Sequence, residues 1–146
     1  MSSVSMETAG NITSLEDEEQ MDKDFTEYTL TLANNRSFHV PGRVLKHSKL
    51  LETLITNTSD EQFTFESIDG NTMAYVICYM EYVTFFPNIQ HPIHPTLYEK
   101  SSTHIWFREY IEQFTKQQLL EIANIAHYLD IEHLLHLICF RLSNMH

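Results

Sequence analysis

The chain has 146 residues, 42% of them hydrophobic, which is material for one domain and one core. Its net charge of −11, with nine Lys and Arg in all, excludes the concentrated basic surface that nucleic acid or an anionic membrane requires. Two cysteines, Cys78 and Cys139, each set in an apolar run, point to a reducing compartment without a disulfide framework.

The N-terminal stretch carries Glu7, Glu16, Asp17, Glu18, Glu19, Asp22 and Asp24 against Lys23 alone, and no aromatic residue precedes Phe25. Such a composition cannot offset the entropy of ordering, so residues 1–24 are expected to be a disordered acidic tail that keeps the protein solvated. No signal-peptide pattern opens the chain, and the N-x-S/T triplets at Asn11, Asn35 and Asn57 are therefore expected to stay unglycosylated. The longest apolar run, Met73 to Phe86, is too short for a membrane span and contains Glu81. The expected location is cytoplasm and nucleus, with no membrane partner.

Tyr28, Leu30 and Leu32 alternate with Thr29, Thr31 and Ala33, and Phe38 and Val40 alternate beyond Asn34-Asn35. This pattern predicts a β-hairpin, since Asn tolerates the positive φ that tight hairpin turns require. Pro41-Gly42 ends the second strand, Arg43 to His47 reads as a helical turn, and Ser48 is placed to cap a helix carrying Leu50, Leu51, Leu54 and Ile55. Gln62 to Glu66 alternates as a third strand. Asp69 then caps a long helix through Phe86, apolar nearly all round and expected to be the buried centre of the domain.

Pro87, Pro92 and Pro95, with His91 and His94, mark a long loop before Trp106. A short helix from Trp106 to Gln113 follows. Thr115-x-x-Gln118 matches a capping box for a helix through Tyr128, and Asp130 is placed to cap a last helix, Glu132 to Met145. The fold class is α+β, a small three-stranded sheet packed with about six helices in one domain from residue 25 to 146.

Little in this order supports catalysis, because three glycines supply no phosphate loop and no nucleophile motif is present. Cys139 lies near His136 but falls on the apolar side of the last helix, where a structural thiol is the expected role. His91 with His94, and His133 with His136, offer two ligands each where a structural zinc takes four, so no metal and no cofactor is expected. No catalytic residue is assigned.

The last helix is more informative. At about 100° per residue, Leu134, Leu135, Ile138, Cys139, Leu142 and Met145 form one broad stripe, expected to pack inward. Leu137 and Phe140 fall outside that stripe, flanking Asn144, and are candidate partner contacts.

Trp106-Phe-Arg-Glu-Tyr-Ile111, then Gln118 to Ile131 ending in Tyr128-Leu-Asp-Ile131, then Leu134-Leu135, Cys139 and Asn144-Met145, carry a family likeness. The chain resembles the F-box adaptor subunit of SCF-type cullin-RING ubiquitin ligases, a BTB/POZ fold. The likeness runs from residue 27 to 145, with Ser48, Thr53 and Val76-Ile77 in matching places in the front half. Tyr79 to Val83 and Pro92 to Pro95 also look like elongin C, the sister adaptor of that fold.

The resemblance implies a non-catalytic adaptor that joins the N-terminal domain of a cullin to an F-box substrate receptor. His127 and Tyr128 stand where the family meets the cullin, with His127 in place of the usual Asn. Leu137, Phe140, Arg141 and Asn144 lie on the helix used for receptor binding, within helices 115–145. The family continues with two further helices beyond Asn-Met, whereas this sequence stops at His146. A BC-box receptor helix is therefore the alternative occupant, and a diverged BTB module in a non-ligase assembly the rival role. A homodimer is left open for the chain without a receptor.

Overall fold

The computed structural model describes residues 22–86 and 105–145. The expected disordered segment up to residue 21, the Pro/His loop with His91 and His94, and His104 and His146 lie outside the described residues. Two antiparallel strands, β1 (Glu27–Leu32) and β2 (Ser37–Pro41), form the expected hairpin, with Tyr28 opposite Val40 and Leu30 opposite Phe38. Asn34 and Asn35 both sit at φ 61°, and the Arg36 N–H donates to the Ala33 carbonyl. That geometry is a primed turn, whose twist matches the strands it joins.

After β2 come two short helices, α1 (Gly42–Leu45) and α2 (Lys49–Asn57), which carry the chain past β1 to β3 (Gln62–Phe65). β3 runs parallel to β1, with Phe63 beside Leu30, so the sheet is mixed in the order β2-β1-β3. Tyr28, Leu30, Leu32, Val40 and Phe63 are buried, whereas Ser37, His39, Gln62 and Thr64 are exposed. One sheet face therefore supports the core and the other meets water, which is what the period-two alternation encodes.

Asp69 caps α3 (Gly70–Phe85) by accepting from the Thr72 N–H at 3.0 Å. Met73, Val76, Ile77, Tyr79, Met80 and Val83 are buried on this helix. The expectation that it is buried all round is corrected on one side: Tyr75, Cys78, Glu81 and Phe85 are exposed. Helix α4 (Ile105–Glu112) is fastened to it by aromatic stacking, with the Trp106 ring 3.8 Å from Tyr82 of α3 and, within α4 itself, 5.0 Å from Tyr110. The Tyr110 hydroxyl completes the joint by donating to the Tyr75 carbonyl at 2.8 Å.

Thr115 and Gln118 form the capping box of α5 (Lys116–Leu129) in full, each side chain accepting from the other's backbone N–H. At the other end Asp130 is not the N-cap of the last helix, as its position in the sequence suggests. It takes the left-handed conformation (φ 58°) at the C-terminus of α5, with its N–H on the His127 carbonyl and the Ile131 N–H on Ala126. This is the Schellman arrangement, and Asp adopts it more readily than most residues. Helix α6 (Glu132–Ser143) then starts from Ile131 without a side-chain cap.

The first described residues are held by the domain. Residues 22–25 make a helical turn in which Lys23 Nζ donates to the Ile55 carbonyl at 3.0 Å, at the open end of α2, and Asp24 pairs with Lys46. Gly42 accommodates this turn, since a Cβ there would stand 2.0 Å from the Lys23 carbonyl oxygen. The boundary expected at residue 24 thus falls inside a fixed turn.

Candidate functional site

The residues implied by the resemblance occupy two separate patches. The first is the C-terminal end of α5, where His127 and Tyr128 are both exposed, Tyr128 to 57%. Its ring is braced edge-on by Phe65 of β3, with centroids 6.2 Å apart. Tyr128 borders two hollows. One is lined by Lys49, Leu50, Thr53, His127, Asp130 and Leu135. The other lies between α3 and α5, with Ser67, Asp69, Thr72, Glu121 and Asn124 on its walls.

Two hydrogen bonds fix this corner from beneath. Ser48 is fully buried; its hydroxyl accepts from the Leu51 N–H at 3.1 Å and donates to the Leu129 carbonyl at 2.5 Å. The Lys49 N–H donates to the Asp130 carbonyl at 3.2 Å. A cap that the sequence suggests for α2 alone therefore also ties α2 to the last turn of α5, across 81 residues. Ser48→Ala removes both bonds and leaves a buried carbonyl short of a donor, with an expected loss of about 2 kcal/mol. Urea denaturation measures it; an unchanged midpoint would show that water replaces both bonds.

His47, next to Ser48, is half-buried, and burial lowers its pKa below the ordinary 6.5, with the charge of His133 adding to the effect. His133 is lowered too, first by burial and then by His136, while Glu132 opposes. Well above pH 6.5 both imidazoles are neutral in folded and unfolded chains alike and stability does not depend on them. As pH falls below that value the unfolded chain takes up protons first, so stability is lost until the folded groups titrate as well. Melting curves at successively lower pH should show a steeper loss for the wild type than for His47→Gln, and parallel curves would remove His47 from the account.

The second patch is the C-terminal half of α6, and here the expected register is corrected. Leu137 is fully buried and belongs to the core with Leu134 and Ile138, so it is not available as a receptor contact. Among the described elements the helix packs most extensively on α5 and also on α4. Cys139, expected inward, is exposed, and Leu135, Leu142 and Met145 are half-buried. Phe140 and Arg141 are half-buried, the Arg141 Nε is enclosed with no hydrogen-bond partner among the described residues, and Asn144 is exposed with its amide on the Phe140 carbonyl at 2.8 Å.

The two patches stand apart: Leu135 borders the Tyr128 corner, and Asn144 lies nine residues further, about 14 Å along a helix axis. Among the described residues no group of three or more His, Cys, Asp or Glu is placed to hold a metal ion. None of the described helices is long and apolar enough to cross a membrane. Sequence reasoning missed the α3–α5 hollow. Its signal was the spacing of Asp69, Thr72 and Tyr75 on one helix and of Gln118, Glu121 and Tyr128 on the other, at intervals that place each set along one side. No protein-family model matches the chain, and a search of curated proteins finds no match.

Proposed function

We propose that the chain is a non-catalytic adaptor that bridges the N-terminal domain of a cullin to an F-box-type substrate receptor, within a BTB/POZ-like α+β fold. The observation that supports this reading best is Tyr128. A large aromatic side chain is 57% exposed, its ring is held by Phe65, and hollows open beside it. Side chains of this kind, preorganised and amphipathic, are the ones that dominate binding energy at protein interfaces. Asn144 lies about 14 Å along α6 from Leu135 at this corner, an arrangement that suits a bridge. Bridging works by colocalisation, which raises the effective concentration of a receptor-bound substrate near the transfer machinery.

The burial of Leu137 narrows the receptor surface to Phe140, Arg141 and Asn144. Arg141 is half-buried and brings a cation to this surface, which favours a partner that presents an acidic acceptor. The reading is tested by titrating immobilised chain with a set of purified cullin N-terminal domains. Binding of at least one, lost with Tyr128→Ala, is the expected result. Absence of binding to every cullin domain by a folded chain would refute it.

A further inference from the structure

The hollow beside Tyr128 continues along the α3–α5 seam into a second one, since Asp69, Thr72 and Glu121 line both. Together they form a groove with Tyr128 at one end and Tyr75, 37% exposed, towards the other. From Gln118 to Tyr128 the α5 wall spans ten residues, about 15 Å. Both tyrosine rings are braced by a phenylalanine: Tyr75 meets Phe114 edge-on at 4.8 Å, as Tyr128 meets Phe65. The buried side chains of Ile68, Ile122 and Ile125 contribute to the floor.

The charge in this groove has one sign. Among the described residues Asp69 and Glu121 line it and no Lys, Arg or His does, while Arg36 stands at the rim with its guanidinium donating to Asn71 Oδ1. Asp69 spends one oxygen, Oδ2, on the Thr72 N–H and hydroxyl. Glu121 meets the Gln117 amide alone among the described residues, at 3.4 Å. Carboxylates with no ion-pair partner among the described residues attract a cation and repel phosphate, so nucleic acid and anionic lipid are poor occupants. The apolar floor requires that the cation be carried on a chain with apolar neighbours.

We propose that this groove binds a segment of a partner protein that presents a Lys or Arg among apolar residues, with the cation at Glu121 and its apolar neighbours against the Tyr128 and Tyr75 rings. The inference does not require that the partner be a cullin.

The test is a selection from a displayed random-peptide library on the full chain, with Glu121→Lys as counter-target. Enrichment of peptides that carry Lys or Arg flanked by apolar residues is expected. Their synthetic forms should bind at least about tenfold more weakly to Glu121→Lys and to Tyr75→Ala, and more weakly at high salt. Unchanged melting temperatures in both variants separate this from unfolding. Peptides without a basic residue, or peptides that bind Glu121→Lys equally, would overturn the proposal, as would a selection that enriches nothing over the counter-target. Cullin binding, measured separately, reports on the adaptor reading: it can fail while the groove still selects basic peptides, and the reverse.

Discussion

Leu137→Ala is expected to destabilise the chain by about 2–5 kcal/mol, the usual cost of emptying a closed core site, whereas Phe140→Ala should cost about 1–2 kcal/mol. Leu137 is fully buried, so deletion of its side chain removes packing on every side and leaves a cavity. Phe140 is half-buried, and part of its ring already meets water. The contrast has a functional side. Loss of receptor binding in a Leu137 variant reports unfolding, while loss in Phe140→Ala with a near-normal melting temperature reports a contact. Equal destabilisation by the two substitutions would show that Phe140 is core as well, and would remove it from the receptor surface.

The second large effect is expected at Tyr128. Replacement by Ala should weaken binding to a cullin N-terminal domain by about 10- to 100-fold, the range of an interface hot spot. It should leave folding nearly untouched, because the ring is mostly exposed and its one described aromatic contact is the edge of Phe65. Tyr128→Phe separates the ring from its hydroxyl, and retention of binding in that variant would assign the energy to apolar contact. Isothermal titration of the three forms against one cullin domain, beside their melting curves, makes the comparison.

Much of this arrangement was legible in the sequence because local signals and burial agree. The Asn34-Asn35 turn, the Ser48 and Asp69 caps and the Thr115/Gln118 capping box each specify backbone geometry within a few residues, and each is found in place. Tertiary placement escaped the same reasoning. Helix α6 is apolar around most of its circumference, so periodicity admits two inward registers that share Leu134 and Ile138. The tertiary packing of α6, chiefly on α5 and also on α4, decides that Leu137 is inside and Cys139 outside. Asp130 was misassigned for a related reason. An Asp between two helices suits the N-cap of the second and the left-handed end of the first, and the contact of the Lys49 N–H with its carbonyl belongs to tertiary structure. The second role of Ser48, a bond to Leu129, was invisible in the same way.

The most direct test of the adaptor account is affinity purification of the tagged chain from its own cells, in wild-type, Tyr128→Ala and Phe140→Asp forms, with co-purifying proteins identified by mass spectrometry. The account predicts a cullin and an F-box or BC-box receptor with the wild type. Tyr128→Ala should lose the cullin and keep the receptor, and Phe140→Asp should do the opposite. A folded, self-associated wild-type chain that brings down neither would contradict it and would assign the fold to a different assembly.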